Sequence, residues 1–158
     1  MKSYLDTTVL IAFLFGELSE VDAERQEIAA ELFELINASG ITAFISLYAL
    51  QELILFVYDN YSPAEVKSVL RLAMLTLFRN EVMVLPLLDR IGTFKYSRLV
   101  SVRNRSDRSH LISALKNDCD YILSYDDHIL RAKADDMRAL KPEEFLDLIK
   151  ASVPEEER

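Results

Sequence analysis

Residues 1–17 read MKSYLDTTVLIAFLFGE, and Asp6 is the residue in them that needs explaining. Seven apolar residues run unbroken from Val9 to Phe15, and ahead of the acid Ser3-Tyr4-Leu5 has the character of a short buried strand. Beyond it the pattern lengthens into a helix, for which Thr7 or Thr8 is the expected cap. A strand that ends on an acid and turns at once into an apolar helix is the opening unit of an alternating α/β chain. The lysine ahead of this run does not make it a targeting signal, because Asp6 interrupts the apolar stretch and Gly16-Glu17 stands where a small-residue cleavage site would be. No stretch approaches the ~18 apolar residues of a membrane span, so the expectation is a soluble, cytoplasmic protein without a membrane partner.

The same alternation continues outward from this unit. Between Val21 and Asn37, Ile28, Leu32, Leu35 and Ile36 recur on one helical face with an acidic face opposite. ITAFIS (41–46) reads as the next strand and LYALQELILFVYDN (47–60) as the helix after it. Ser62-Pro63 opens a helix over 64–78, and EVMVLP (81–86) is a third strand closed by proline. A helix is expected from Leu87 to Val102 and another from Ser106-Asp107 through Asn117. YILS (121–124) is a fourth strand, DDHILRAKA a short helix, 137–140 a possible edge strand and PEEFLDLIK the closing helix. These elements predict a three-layer α/β/α sandwich around a central, mainly parallel sheet of four to five strands joined by right-handed crossovers.

The chain has 158 residues, 51% of them hydrophobic and 28% charged, which suits one domain with one core. With three glycines, four prolines and no repeat or linker, residues 1–150 read as a single domain and 151–158 as an acidic solvated tail. Cys119 is the lone cysteine, so no intrachain disulfide can form, as befits a reducing compartment.

In an open parallel sheet, chemistry gathers beyond the carboxyl ends of the strands. Asp6 follows the first strand directly and Asp126 follows the fourth with only Tyr125 between. Asp107 opens the helix leading into that strand, and Glu52 lies between one and two turns into the helix after ITAFIS. Several carboxylates on one rim repel, so either some bind protons or a cation sits among them. A hard divalent ion, Mg²⁺ or Mn²⁺, suits oxygen donors, and no His/Cys set of zinc spacing competes. Each acid also has an ordinary alternative: Asp6 as a turn residue, Asp107 as a helix-start charge, Asp126 or Asp127 as the cap of DHILRA, and Glu52 as a surface charge. His110 and His128 are expected to form hydrogen bonds at the site's edge or the surface.

Four segments, YLDTTVLIAFL (4–14), SLYALQELI (46–54), DRSHLISALKNDCDYILSYDDHI (107–129) and LKPEEFL (140–146), resemble the successive motifs of the PIN domain family, metal-dependent ribonucleases that include the VapC-type toxins of toxin-antitoxin pairs. The resemblance spans about 2–146. It implies that Asp6, Glu52, Asp107 and Asp126 are the metal-binding, catalytic acids, with Thr7 and Ser124 as supporting hydroxyls. His128 stands where many members carry a further acid. It also implies phosphodiester hydrolysis of RNA through one or two Mg²⁺ or Mn²⁺ ions, and an antitoxin as a possible partner.

The net charge of −8 runs against nucleic-acid binding. It is unevenly spread, however. KYSRLVSVRNRSDRS (95–109) carries Lys95, Arg98, Arg103, Arg105 and Arg108 and leads into Asp107, so Arg103, Arg105 and Arg108 are the candidate RNA contacts, against the alternative of a solvated basic helix end. Helices 47–60 and 64–78 are apolar around most of their circumference, which predicts a homodimer burying both. Two other functions compete. A haloacid-dehalogenase-type phosphatase would need a second Asp at position 8, where Thr8 stands, and an inactive PIN-fold scaffold would not need all four acids.

Overall fold

The computed structural model describes residues 1–16, 20–102 and 104–152. In chain order the elements are β1 (Lys2–Leu5), α1 (Thr7–Phe15), α2 (Glu20–Ser39), β2 (Thr42–Ser46), α3 (Leu47–Asn60), α4 (Val66–Leu77) and β3 (Val82–Leu85). They continue with α5 (Arg90–Tyr96), β4 (Val100–Ser101), α6 (Arg105–Lys116), β5 (Tyr121–Leu123), α7 (Asp127–Leu130), β6 (Lys133–Ala134), β7 (Arg138–Leu140) and α8 (Pro142–Ser152). Five strands pair in parallel in the order β3-β2-β1-β5-β7. Strand β1 is therefore the switch point from which the chain builds the sheet in both directions, the place where such sheets open a crevice.

The two-residue period of the strands distributes the core between two layers. Leu5, Ala43, Ile45 and Leu123 face a cluster with Val9, Leu10, Leu32, Ile36, Leu53, Leu77 and Phe145 from α1, α2, α3, α4 and α8. Tyr4, Phe44 and Ile122 face the other way, onto Leu111, Ile112 and Ile129 of α6 and α7. Burial on both faces explains why these strands read as apolar runs instead of alternating ones, and the result is a three-layer α/β/α sandwich. Gly40, at φ +67°, closes α2 in the left-handed region where a side chain would be strained.

Three local expectations are corrected. The helix expected from Leu87 to Val102 is only α5, capped by Asp89 through Gly92 N and ended at Ser97, whose N–H returns to Thr93 O. The β-branched Val100 then enters a strand, and β4 pairs antiparallel with β6, which occupies the end of the segment read as the DDHILRAKA helix. The cap of α1 is Asp6 itself, and neither threonine plays that part. Of the tail expected at 151–158, Ala151 and Ser152 close α8, and the rest lies outside the described residues.

Among the described residues, no helix is long and apolar enough to cross a membrane. On the surface expected to pair with a second copy, Leu55, Tyr58, Leu72, Leu75 and Phe78 are exposed. Leu53 is fully buried in the core, and Phe56, Val69 and Met74 pack against it, so the exposed apolar face is narrower than the sequence suggested.

Candidate active site

Register brings the carboxyl ends of β1 and β5, which lead into the first and last acids of the motif series, side by side. Leu5 pairs with Leu123, and Asp6 N donates to Leu123 O at 3.0 Å, so the residues that follow both strands leave the sheet together at its centre. Asp6 is 3% exposed. Its Oδ2 accepts from Thr8 Oγ1 at 2.8 Å, Ser124 Oγ at 2.9 Å and Thr8 N at 3.3 Å. Those bonds aim Oδ1 away from the helix, and His110 Nδ1 lies 3.7 Å from it. Ser124 Oγ also accepts from Asp126 N at 2.9 Å, and Thr8 Oγ1 accepts from Tyr125 N at 2.9 Å, so the two hydroxyls tie the β1 and β5 ends into one rim.

Glu52 reaches the rim from α3, whose N-cap is the buried Ser46 at the end of β2. Its Oε2 accepts from Thr7 Oγ1 at 2.5 Å and lies 3.1 Å from His110 Nε2, while Oε1 accepts from Ser106 Oγ at 3.0 Å. Burial alone would raise its carboxyl, but the hydrogen bond and charge of His110, with the Thr7 and Ser106 hydroxyls, outweigh burial and hold it at about 2.

His110 is a site residue that sequence reasoning left at the edge. It is 1% exposed and joins Asp6 and Glu52 in a group whose donor atoms all lie within 4.8 Å of one another. Both ring nitrogens are engaged: Nε2 with Glu52, and Nδ1 with Tyr4 Oη at 2.7 Å, which is itself 2.6 Å from Ser46 Oγ. Burial pushes Tyr4 well above its ordinary value, so it stays a phenol. Burial works against a charged imidazole, yet the Glu52 hydrogen bond and the charges of Asp6, Glu52 and Asp107 raise His110. The signal was available in the spacing, since three residues beyond Asp107 on a helix is the same face.

Asp107 and Asp126 stand outside that tight group; the charge of Asp107 acts on His110 and that of Asp126 on Asp107. Asp107, in the first turn of α6, is buried, and its Oδ2 has no hydrogen-bond partner among the described residues. Burial, then the charges of Asp126 and Asp6, raise its carboxyl above the ordinary range. Asp126 caps α7, its Oδ1 accepting from His128 N at 2.6 Å. A buried carboxylate oxygen without a partner, in the field of two further acids, is a costly arrangement that a hard cation would relieve, and the carboxylates offer it oxygen donors. The His110 nitrogens, already hydrogen-bonded, are not free to add a softer donor.

Arg105 and Arg108 project from α6 and are exposed beside the rim, and Arg103 lies outside the described residues. The ring of His128 is exposed on the cleft lined by Arg98, Arg108 and Arg131.

Three solved structures share this arrangement of elements. The structure of VapBC2 from Rickettsia felis bound to a DNA fragment from its promoter superposes with a TM-score of 0.63 at 15% identity, over 89% of this chain and 98% of that one. FitAB bound to an IR36 DNA fragment gives 0.62 at 16%, over 89% and 94%. PAE2754 from Pyrobaculum aerophilum gives 0.57 at 13%, over 96% and 90%. The fold is the VapC-type PIN fold. Neither a family model nor a curated protein sequence matches the chain. Identity this low carries the PIN fold and nothing finer, so the chemistry rests on the side chains described above.

Proposed function

We propose that this protein is a metal-dependent endoribonuclease that hydrolyses RNA phosphodiester bonds at the rim formed by Asp6, Glu52, Asp107 and Asp126. The observation that carries the reading is the buried, unpartnered Oδ2 of Asp107 set against the charges of Asp6 and Asp126. Asp6, Asp107 and Asp126 would hold the ion, Mg²⁺ or Mn²⁺, with Glu52 adding its charge from a carboxylate whose orientation three donors fix. Such an ion, when bound, supplies Lewis-acid polarisation of a phosphate and a lowered pKa for an attacking water. The chain's own part is to aim the carboxylates: Ser124 and Thr8 fix Asp6, while Thr7, Ser106 and His110 fix Glu52. Arg105 and Arg108 would position the phosphate backbone beside them.

The phosphatase alternative finds little support, because Thr8, in place of a second acid, already spends its hydroxyl on Asp6 and Tyr125. A role as the toxin of a toxin-antitoxin pair, with an antitoxin partner, is part of the proposal and draws support from the likeness to VapBC2 and FitAB. So is a homodimer through the exposed face of α3 and α4. The test is to incubate the purified protein with a panel of RNAs in Mg²⁺ or Mn²⁺, in EDTA, and with the Asp6→Asn variant. Cleavage only with metal and wild-type Asp6 is expected. Full cleavage by Asp6→Asn, or in EDTA, would overturn the assignment.

A further inference from the structure

Helices α3, α5 and α6 border a cleft of about 810 Å³ that none of the four acids lines. Its walls are the rings of Tyr48 and Phe94 and the side chain of Ile112, and its charges are Arg90, Arg105 and Arg108. No acid lines it, and among the described residues none of the three guanidiniums is ion-paired. Three unpaired cations gathered in a protein of net charge −8 do nothing for its packing, and they complement a polyanion.

The aromatic walls narrow the choice of polyanion. Phe94 is 66% exposed, and the Arg98 guanidinium lies 4.9 Å over its centroid, so the ring forms a platform held by a cation and open to a second planar group. Aromatic and guanidinium planes are what unpaired bases stack on. Tyr48 is fixed by accepting the Leu88 N–H at 3.0 Å, and its ring centroid is 6.5 Å from that of His110, one side chain from Glu52. Arg105, Arg108, Ser109 and Ile112 recur at helical spacing on the face of α6 that lines the cleft, and Asp107 and His110 lie on the adjoining buried face. The cleft and the acids are therefore separated by the width of that helix and linked by the Tyr48–His110 ring contact. The volume falls in the ~300–1,000 Å³ range of small-ligand clefts.

We infer that this cleft seats one unpaired nucleobase of the RNA strand next to the phosphate under attack, stacked at Phe94 and Tyr48, with Arg90 and Arg105 on the flanking phosphates. The inference rests on the nuclease reading for the identity of the strand, but its test needs no cleavage. Fluorescence anisotropy with the full chain in EDTA would measure binding of a labelled RNA of about 12 nucleotides, free and annealed to its complement. Phe94→Ala should weaken single-strand binding by between about 5-fold and 150-fold and leave the duplex untouched. Ile91→Ala, on the same helix at 81% exposure but outside the cleft, should change neither. Wild-type affinity in Phe94→Ala, or equal losses for single strand and duplex, would overturn the base site. So would a shift from dimer to monomer in Phe94→Ala with binding intact, which would mark a protein interface. Loss of base stacking in this assay leaves metal-dependent cleavage standing, whereas a protein that binds as described but never cleaves refutes the nuclease reading alone.

Discussion

Replacing Asp107 with Asn should make the metal-free protein more stable and at the same time remove much of what metal adds. Asp107 is 5% exposed, its Oδ2 is orphaned, and burial with the charges of Asp126 and Asp6 raises its pKa. A carboxyl raised in the folded state favours folding when protonated, so at neutral pH, ionised, it subtracts from stability. An unsatisfied buried polar atom costs about 1–3 kcal/mol, and more when charged. Asn keeps the shape and the unpartnered oxygen but sheds the charge, so the recoverable part is about 1 kcal/mol, or about 2–4 °C in Tm for a chain of this size. Thermal unfolding followed by circular dichroism at pH 7 in EDTA reads this directly. The gain should shrink as pH falls through the raised carboxyl's range, where the wild type protonates too. With Mn²⁺ at about 100 times its Kd, the wild type should gain about 2.7 kcal/mol and the variant markedly less. A lower Tm for Asp107→Asn in EDTA, together with an equal response to metal, would refute the electrostatic reasoning.

Other perturbations probe separate parts of the structure. The Glu52 carboxyl, held at about 2 against an ordinary 4.5, contributes stability present above pH 4.5 and lost as pH falls towards 2. His110, raised above 6.5, contributes stability present below that value and lost as pH rises through its folded pKa, so urea midpoints of the metal-free protein should peak between the two and His110→Ala should flatten the peak. Leu72→Glu and Leu75→Glu, at 67% and 51% exposure, should each leave a folded monomer where the wild type sediments as a dimer, and a monomeric wild type at micromolar concentration would end the dimer proposal. Arg105→Gln and Arg108→Gln should each weaken RNA binding across sequences and lower the salt slope by about 1. An unchanged slope would return both to the solvated surface.

The central half of the fold was legible because strong local signals agreed with the tertiary demand. Apolar strands buried on both faces, each followed by an amphipathic or apolar helix, leave few topologies, and the acid after β1 is fixed by the strand it ends. The region after β3 was less legible. Strands β4 and β6 are two residues each and find each other across more than thirty residues of chain, so neither carries a periodicity of its own. Thr7 and Ser124 were placed by motif, and the structure bonds them to Glu52 and Asp6. Thr8 and His110 were underrated because a hydroxyl at a helix start and an imidazole within a helix are ordinary in sequence. Only the sheet register and the approach of α6 reveal that Thr8 bridges β1 to β5 and that His110 stands between two acids.

The most direct test is to soak crystals of the protein in Mn²⁺ and measure the anomalous difference density. One or two peaks within coordination distance of the carboxylate oxygens of Asp6, Asp107 and Asp126, lost in crystals of Asp6→Asn, are the expected result. A rim without a peak at saturating Mn²⁺, or one in which the acids keep the hydrogen bonds described and the ion binds elsewhere, would contradict the assignment of this site as a metal centre.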